Sequence, residues 1–556
     1  MIKKVSNKIF NTGFTLVELL AVIVILSIIL VITVPKINDT ISQSTKKSFA
    51  VDAKNIINEI EYALMEDKVD SILELDESDI ESTLGINNIN YEKINVFSIS
   101  GSPYVVIKGK NKWEGFVAYG NYREIKVENE DNYDLILSQL GYNSIKGVNE
   151  PLLSKGMTPI KWDGTDWINT TESDIGWYDY TNKQWANART EDGSMWVWIP
   201  RYVYKINSGW HSNTTGTIEV KFSMGTDDTI NNTVTLDTGT TSNASNNKWT
   251  NHPGFTFGTT ELTGIWVAKF EATAIEGVAN GYVSNGTCPT TGDNVTTKTI
   301  KVIPNVVSWR CITPGNAYTV VRNMETKTTY GWDIASTLKT DGTYTTDTNN
   351  VDTHLMKNIE WGAIAYLSKS TYGKSTTEIW INNDQNYTTG CAANSASQSG
   401  NNGCLNTYET TNGVQASTTG NIYGVYDISG SAWEIVSAYV DNANANLTSY
   451  GTDILNANAK YKDIYTKAAT DDSTNNYALT INKKGDAIYE TSNSSTGIYS
   501  WFGDSSSMAF TSSPWFVRGG FWYYVTYSGA FAFFPSNGYV YNSFGFRPII
   551  VVGKEF

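Results

Sequence analysis

A chain of 556 residues is too long for one ordinary domain and can bury a large core, so two or three folded units are expected. With 41 Lys and Arg against 56 Asp and Glu, its formal net charge of -15 argues against nucleic acid as a partner. Aromatic residues make up 13% of the chain, and its 18 Trp and 33 Tyr stand among Asn, Thr, Ser and Gly, a composition typical of an extracellular binding protein.

An apolar run opens the chain after a short basic leader. Lys3, Lys4 and Lys8 precede the run, which extends from Phe14 to Val34 and can cross the ~30 Å hydrocarbon core of a bilayer as a helix. Positive charge ahead of the run predicts that everything after it is exported. Because no small-residue cleavage site follows the run, we expect it to be retained rather than removed as a secretory signal. Residues 14–35 are therefore predicted to span the membrane.

Glu18 places a carboxylate inside this run. A charged side chain at the centre of a bilayer costs about 2.5–3.5 kcal/mol unless it finds a partner. The string Gly13-Phe14-Thr15-Leu16-Val17-Glu18 resembles the processing site of type IV prepilins. The resemblance implies that a prepilin peptidase removes residues 1–13 by cutting between Gly13 and Phe14, that Phe14 is N-methylated, and that Glu18 pairs with the amino terminus of a neighbouring pilin subunit. A plain signal anchor is the alternative, and pseudopilins of secretion or uptake machines share the same string.

A helical pattern continues past Pro35 and leads into short alternating runs. Its apolar positions are Ile37, Ile41, Phe49, Ile56, Ile57, Ile60 and Leu64. Proline lacks a backbone donor, so Pro35 is expected to bend the helix as it leaves the membrane, as in the prepilins that it resembles. Residues 103–107 and 115–119 alternate as strands of a small sheet do. Residues 36–150 are therefore predicted to complete the pilin helix and to form a small α/β head.

Short, Trp-rich segments punctuated by glycine begin at about Met157. They include residues 195–200, 264–270 and 305–309. Short strands separated by long polar loops predict an irregular fold with few helices. The clearest predicted helix runs from Asp352 to Lys369, and its apolar stripe consists of Met356, Ile359, Ala363 and Leu367. The predicted fold class is α+β: a long amino-terminal pilin helix with a small sheet, then a large irregular domain over residues 151–556.

Landmarks between residues 190 and 552 follow the order of the formylglycine-generating enzyme (sulfatase-modifying factor) family. The matching stretches are residues 265–273, 304–309, 360–361, 420–434, 518–520 and 545–547. The fourth stretch, Gly-Asn-Ile-Tyr-Gly-Val-Tyr-Asp-Ile-Ser-Gly-Ser-Ala-Trp-Glu, resembles the diagnostic string of that family, and the last two match its terminal Arg-Gly-Gly and Gly-Phe-Arg. The resemblance implies an elaborated C-type-lectin-like fold for residues 151–556.

The chain departs from that family where its oxidases carry their cysteine pair. Those members need two cysteines between Arg-Gly-Gly and Gly-Phe-Arg, and residues 518–547 contain none. Without a thiolate to bind copper, that oxidation is lost. Ser431 replaces an asparagine that helps hold calcium in the family, while Glu434 is kept. Calcium binding therefore stays possible, but we assign no metal and no other cofactor.

Other catalytic chemistry finds little support in the three histidines. His211, His252 and His354 stand in no nucleophile or metalloprotease motif. His354, near the start of the predicted helix, is expected to cap or pack rather than to react. Asp and Glu residues scattered through a chain of this size do not identify a glycosidase pair. We therefore expect a protein that is not an enzyme.

The four cysteines lie far downstream of the apolar run. None forms a Cys-x-x-Cys pair, so a zinc site is not expected. Because an exported chain meets oxidising conditions, we pair Cys391 with Cys404 and Cys288 with Cys311, although four cysteines permit three connectivities. Four free, buried thiols are the alternative.

Residues 519–546 form an unusual, uncharged aromatic segment. It contains no Lys, Glu, Gln or Met, and it is rich in Phe and Tyr. Phe531 and Phe533 alternate with alanine as in a half-buried strand, but five tyrosines lie among Gly, Ser and Asn, a mixture that makes good binding surfaces. The segment resembles the variable region of diversity-generating retroelement target proteins, in which asparagine codons are randomised at adenines before the final Gly-Phe-Arg. Such codons never encode the residue types that are missing here.

This resemblance implies a division of the variable-like stretch 518–547 into contact and scaffold positions. The implied ligand-contact residues are Phe521, Tyr523, Tyr524, Tyr527, Phe534, Pro535, Ser536, Asn537, Tyr539, Tyr541, Asn542, Ser543 and Phe544. The implied scaffold residues are Trp522, Gly529, Phe531, Phe533, Gly538, Phe546 and Arg547. A fixed binding surface and a plain aromatic core are the two alternatives.

Together these features predict a minor type IV pilin, located at the tip because a head of about 400 residues would crowd a densely packed shaft. Its partners would be other pilin subunits, a prepilin peptidase, the membrane, and an extracellular protein, glycan or phage ligand. It would lie in the cell membrane before assembly and on the extracellular pilus surface afterwards. The alternatives are a formylglycine-generating-type enzyme, which the missing cysteines argue against, and a catalytically inactive pseudopilin with a structural role in a secretion or uptake machine.

Overall fold

The protein divides into two compact units, residues 1–137 and residues 138–556. The computed structural model describes residues 16–65, 73–99, 102–244, 247–276, 288, 295–346 and 350–553. The division falls before the predicted boundary at residue 150. The boundary lies earlier because the side chain of Asn149 is bonded within the second unit. It donates to the carbonyl oxygens of Gly225 and Thr263 and accepts from the N–H of Gly225. These bonds fold residues 138–150 with the second unit.

The first unit combines a long helix with a five-stranded antiparallel sheet. Its helices are α1 (Leu16–Met65), α2 (Glu77–Leu84) and α3 (Tyr133–Ser138). Its strands, which follow the same order across the sheet, are β1 (Leu73–Asp76), β2 (Tyr91–Ile99), β3 (Ser102–Gly109), β4 (Phe116–Gly120) and β5 (Ile125–Asn129). The runs at residues 103–107 and 115–119, predicted as strands from their alternation, lie in β3 and β4.

The second half of α1 packs on this sheet through part of the predicted stripe. Phe49, Ile56, Ile57 and Ile60 are buried, and the ring of Phe49 stacks on Trp113 with centroids 5.0 Å apart. Each such side chain contributes about 1.5–3 kcal/mol when it is fully removed from water. This face of α1 therefore forms the core of the first unit.

The first half of α1 makes no such core. Residues 16–31 are exposed throughout, Leu16 at 83%, and Ile37 and Ile41 are exposed as well. The helix continues through Pro35 without a break. Among the helices in the described part of the chain, none is both long and apolar enough to qualify as a membrane span. The predicted span begins at Phe14, outside the described residues, and stays a prediction.

In its described residues, the second unit contains many short strands and four helices. The short segments and long polar loops of the sequence predicted such a fold with few helices. Its helices are α4 (Pro314–Arg322), α5 (Asn358–Lys369), α6 (Ala445–Asn456) and α7 (Ser473–Leu479). Its strands are β6 (Tyr142–Asn143), β7 (Val148–Asn149), β8 (Met157–Trp162), β9 (Trp167–Asn169), β10 (Asn187–Thr190), β11 (Met195–Pro200), β12 (Tyr202–Ser208), β13 (Thr217–Phe222), β14 (Thr250–Asn251), β15 (Thr256–Phe257), β16 (Thr260–Glu261), β17 (Gly264–Ala268), β18 (Thr273–Ala274), β19 (Ile300–Lys301), β20 (Val351–Leu355), β21 (Trp433–Asp441), β22 (Asp463–Thr466), β23 (Thr496–Gly497), β24 (Ser506–Ser507), β25 (Trp515–Gly519), β26 (Gly529–Ser536), β27 (Phe544–Phe546) and β28 (Pro548–Val552).

Two larger sheets organise this unit. The first has the order β20-β28-β17-β11-β10-β8-β9, and all its neighbours are antiparallel. The second has the order β22-β21-β25-β26-β24-β23, and β27 also pairs with β21. Every residue of β11, β17, β20 and β28 is buried. β11, β17 and β28 are apolar runs without a polar face, whereas β20 buries Asp352, Thr353 and His354. The remaining strands form small pairs and one three-stranded sheet.

Two predicted elements of this unit are wrong in part. The predicted helix from Asp352 to Lys369 is a strand, β20, followed by α5, which begins only at Asn358. Residues 351–355 pair with β28 at the edge of the first large sheet, and this pairing makes them a strand although they lie next to a helical stripe. Residues 305–309 form no strand, because their N–H groups bond to separate loop carbonyls such as those of Thr389 and Tyr387.

His354 neither caps α5 nor packs as a simple apolar group. Its Nδ1 lies 3.1 Å from Asp352 Oδ1 and its Nε2 lies 2.9 Å from Glu360 Oε1, in a fully buried site. Burial alone would lower the pKa of His354, but the two carboxylates outweigh burial and hold this pKa above its ordinary value. Arg322, 3.0 Å from Asp352, and Lys357, 3.2 Å from Glu360, complete the charged network.

We predict that a His354→Gln variant loses stability most at mildly acidic pH. A histidine whose pKa is raised on folding contributes fully below its unfolded pKa of about 6.5, and the contribution fades as pH rises through the folded pKa. The difference in free energy of unfolding between parent and variant should therefore be largest below about pH 6.5 and should shrink as the pH rises above it. Urea titrations followed by tryptophan fluorescence measure it, because only Trp113 of the 18 tryptophans precedes residue 138. A difference that stays constant with pH would contradict the charged state of His354.

Candidate functional site

The aromatic segment forms two loops that connect strands of the second large sheet. Loop A, residues 520–528, joins β25 to β26, and loop B, residues 537–543, joins β26 to β27. Since β26 pairs with β25, β25 with β21, and β21 with β27, loop B must pass strands β25 and β21 to reach β27. Both loops thus belong to one sheet, with β26 between them.

Backbone hydrogen bonds hold loop A. The N–H groups of Tyr524 and Tyr527 bond to the carbonyls of Phe521 and Tyr524 at 2.9 and 2.8 Å, and Trp522 N–H bonds to Ser431 O at 3.0 Å. Gly520 has φ +80°, and a Cβ added to it would lie 2.5 Å from the Cα of Ser528. Only glycine fits this turn, so the second glycine of the Arg-Gly-Gly string is required for a steric reason.

Loop B is held by residues from outside the aromatic segment. The carbonyl of Tyr541 accepts from Cys311 N–H at 3.1 Å, and that of Ser543 accepts from Trp433 N–H at 2.8 Å. The guanidinium of Arg310 donates to the carbonyl of Asn542. Each of these bonds uses a loop backbone atom, so none of them depends on which side chains the loop carries. Within the loop, Tyr539 N–H also bonds to the side chain of Asn537 at 2.9 Å.

Buried rings support the exposed ones. Trp433, 2% exposed, stacks on Phe534 with centroids 5.4 Å apart and meets Tyr524 edge to face at 5.6 Å. Phe521 packs on Tyr524 at 4.9 Å. Burial raises the pKa of Tyr524, as expected of a phenol partly withdrawn from water. The half-buried rings of Phe521, Tyr524 and Phe534 therefore form a base for the surface side chains.

The structure exposes many of the predicted contact residues, but not all of them. Four tyrosines are exposed, namely Tyr523 at 66%, Tyr527 at 41%, Tyr539 at 45% and Tyr541 at 39%. Half-buried contact residues are Phe521, Tyr524, Phe534, Pro535, Asn537, Asn542 and Ser543. Ser536 and Phe544, predicted as exposed, are buried. Ser536 lies at the end of β26, where its hydroxyl accepts from Gly538 N–H, and Phe544 begins β27 beside Trp433.

The predicted scaffold residues are buried with one exception. Gly529, Phe531, Phe533, Gly538, Phe546 and Arg547 are buried, whereas Trp522 is half-buried. One side of Trp522 lies against Gly400, where an added Cβ would come within 2.4 Å of the indole. The ring of Tyr523 also meets Trp522 edge to face, with centroids 5.4 Å apart. Trp522 is therefore held in place while part of its ring stays open to ligand.

Loop A lines an open depression of about 670 Å³. Its lining residues are Gln385, Ser399, Gly400, Trp522, Tyr523, Tyr524, Val525, Thr526 and Tyr527. Sequence reasoning missed the first three, because they lie more than 120 positions away from loop A and belong to a polar loop without a motif. The cysteines that flank Ser399 and Gly400 were the available signal.

Both predicted disulfide pairings occur in the structure. Cys288 bonds to Cys311 and Cys391 bonds to Cys404, each with Cα atoms 5.5 Å apart. The first bridge ends at the residue whose N–H holds Tyr541, and the second closes the loop that carries Ser399 and Gly400. The first bridge therefore stabilises the position of loop B, and the second stabilises the side of the depression that faces loop A.

Residues from three of the family-like stretches meet in a buried acidic cluster. Arg547 donates to both carboxylate oxygens of Glu434, at 2.9 and 2.6 Å. Burial raises the pKa of Glu434, and Arg547 opposes this effect. Glu271 accepts from the Ser431 hydroxyl and from Ala432 N–H, both at 3.0 Å, and burial raises its pKa well above the ordinary range. Glu434, the residue kept from the family's calcium site, is thus engaged by a guanidinium.

Among the residues that the structure describes, no group of three or more His, Cys, Asp or Glu side chains is arranged to hold a metal ion. The processing residues Gly13 and Phe14 lie outside the described part of the chain. Glu18 lies in the first turn of α1 and is exposed.

The amino terminus matches a known family. Residues 11–34 match the family described as the prokaryotic N-terminal methylation motif. This motif marks a type IV pilin-like protein and implies processing by a prepilin peptidase, anchoring in the membrane, and assembly with other pilins at a pilus surface. The match covers the predicted cleavage site and most of the apolar run.

Comparison with solved structures finds a much weaker similarity. One solved structure, Treponema denticola variable protein 1, is similar over 65% of this chain and 96% of its own, with 12% sequence identity and a TM-score of 0.26. Similarity at this level is too weak to establish a shared fold or function. No curated protein matches the chain.

Proposed function

We propose that this protein is a minor type IV pilin whose second unit displays a ligand-binding surface for adhesion. The observation that carries the proposal is the exposure of Tyr523, Tyr527, Tyr539 and Tyr541 on loops whose backbones are fixed by hydrogen bonds. Tyrosine offers a large amphipathic contact area at low entropic cost, and fixing the loops in advance lowers the cost of binding further.

Binding rather than catalysis is the proposed activity, and it requires no cofactor. Glu271, Asp427 and Glu434, the main acidic cluster, are buried and bonded within the protein, away from any exposed substrate. The exposed part of the aromatic segment carries only neutral side chains, which are poor acids and bases near neutral pH. These features favour a recognition surface over an active site.

The proposed architecture of the second unit is C-type-lectin-like, in the manner of the formylglycine-generating enzyme family. Support comes from the way in which its family-like stretches meet: Glu271, Asp427, Glu434 and Arg547 come from three separate stretches of the chain and form one buried cluster. A tip position on the pilus follows from the size of the second unit, residues 138–556, which a densely packed shaft would not accommodate easily.

The aromatic segment is further proposed to be diversified by a retroelement. Residues outside the segment, such as Cys311 and Trp433, bond to backbone atoms of its loops, so changes of the exposed side chains leave these bonds in place. The surrounding DNA tests this proposal. We expect a near-copy of the codons for residues 518–547 that differs only at adenines and lies beside a reverse transcriptase gene. Absence of such a copy would refute diversification but not binding.

The adhesion proposal predicts that a Tyr523→Ser/Tyr527→Ser double variant loses binding to its target cells. Truncating well-packed aromatic contacts commonly costs about 2 kcal/mol each, so the pair should weaken attachment at least ~100-fold. Attachment of bacteria that assemble parent or variant pili measures the effect.

Tyr62→Ser is the matched control for this experiment. Tyr62 is 65% exposed, almost as much as Tyr523, but lies on α1 in the first unit. Equal attachment of the parent, control and double variant would favour the structural pseudopilin. In that case, the variants should be compared for assembly of the machine instead.

A further inference from the structure

The depression beside loop A has an uncharged lining. None of its lining residues carries a formal charge. Polar atoms are carried by the side chains of Gln385, Ser399, Tyr523, Thr526 and Tyr527, and also by the hydroxyl of Tyr524 and the indole N–H of Trp522. An ionised ligand that entered this site would lose hydration without gaining an opposite charge. The lining therefore selects a neutral ligand.

The polar groups of this lining are available to a ligand. In the part of the chain that the structure describes, the amide of Gln385 and the hydroxyls of Ser399, Tyr523, Thr526 and Tyr527 make no hydrogen bond. An amide and hydroxyls both donate and accept, so they suit a partner that presents alternating donors and acceptors. They surround the Trp522 and Tyr523 rings, which meet at an interplanar angle of 81°.

The backbone of loop A is not available in the same way. The N–H groups of Trp522, Tyr524 and Tyr527 are all bonded within the protein, and the carbonyl of Tyr527 accepts from Ser505 N–H. An extended peptide that binds by adding a strand needs free backbone groups in the receptor. These bonds leave no continuous backbone edge for strand addition, so the rings, the amide and the hydroxyls are the main groups for recognition at this site.

We propose that the depression binds a neutral oligosaccharide, an inference that rests on the proposed function. A sugar ring offers an apolar C–H face that stacks on an aromatic ring and a rim of hydroxyls that bonds to neutral polar groups. The volume of about 670 Å³ is that of a small-molecule site rather than of a flat protein interface. Trp522, held by Gly400, supplies the stacking platform, and Gln385 and Ser399 bond to the sugar rim.

The test uses the full chain in a zwitterionic detergent without a sugar headgroup, applied to an array of neutral, sialylated and sulfated oligosaccharides. We expect binding to neutral members and none to acidic ones. Quenching of tryptophan fluorescence by a neutral trisaccharide from the array then gives the affinity. Tyr523→Ser and Gln385→Ala should each weaken this affinity about tenfold or more, whereas Tyr62→Ser should not change it.

Two outcomes would overturn the inference. One is an array without neutral hits, and the other is an affinity that neither Tyr523→Ser nor Gln385→Ala alters. Attachment to target cells separates this failure from failure of the proposed function. Attachment that depends on Tyr523 and Tyr527, survives removal of cell-surface glycans by glycosidases and is abolished by protease would assign a protein ligand and leave adhesion standing. Attachment that does not depend on these tyrosines would refute both.

Discussion

An Arg547→Met variant should lose about 3–5 kcal/mol of unfolding free energy in the second unit, because it leaves the carboxylate of Glu434 buried without its partner. Arg547 is fully buried and also donates to the carbonyls of Ala268 and Tyr426, at 2.7 and 2.9 Å. Ala268 lies in β17 and Tyr426 lies in a loop, so the guanidinium joins the first large sheet to the rest of the unit. Urea unfolding of the full chain, followed by tryptophan fluorescence, measures the loss.

A second variant separates charge from packing at this site. Glu434→Leu/Arg547→Met removes both charges, and it should recover a large part of the stability that Arg547→Met loses. The exposed ion pair of Lys155 and Asp333, 2.8 Å apart, supplies the surface control. Lys155→Met should cost less than about 1 kcal/mol. If the double variant is no more stable than Arg547→Met, an unpaired buried charge is not the cause.

Removal of the Cys391–Cys404 bridge should have the next largest effect. The bridge closes a loop with a sequence separation of 13, and cross-linking a loop of that size contributes about 3 kcal/mol. A Cys391→Ser/Cys404→Ser variant should therefore release Ser399 and Gly400 from the depression. Limited proteolysis of the full chain, mapped by mass spectrometry, should show new cleavage within residues 391–404.

The other bridge provides the matched comparison. Cys288→Ser/Cys311→Ser should leave the loop of residues 391–404 resistant to protease while it loosens the hold of Cys311 on Tyr541. Identical proteolysis patterns for the parent and the Cys391→Ser/Cys404→Ser variant would show that this loop holds its place without the cross-link.

Local patterns predicted the elements that local forces determine. The alternating runs at residues 103–107 and 115–119 lie in strands, and the apolar stripe beyond Asn358 is a helix. Val351–Leu355 was misjudged, since five residues beside a helical stripe carry no period of their own and only pairing with β28 makes them a strand. Hydrophobic periodicity therefore predicts whether an element exists better than it predicts where the element begins.

The candidate site divides in the same way. The string of neutral, aromatic residues located the surface. Composition did not reveal that Ser536 and Phe544 point inward, because this depends on strand pairing at the ends of β26 and β27. Gln385 and Gly400 were beyond prediction for a different reason: they meet Trp522 only through a long-range loop contact.

The way in which loop B is held has a consequence for engineering. Cys311, Arg310 and Trp433 donate hydrogen bonds to the carbonyls of Tyr541, Asn542 and Ser543. These bonds do not involve the side chains at the three positions. Residues that meet solvent there can change without a compensating change in the core, which separates the choice of target from the thermodynamic stability of the molecule. This region of the protein is thus a ready-made library scaffold, in which new specificities cost little in folding.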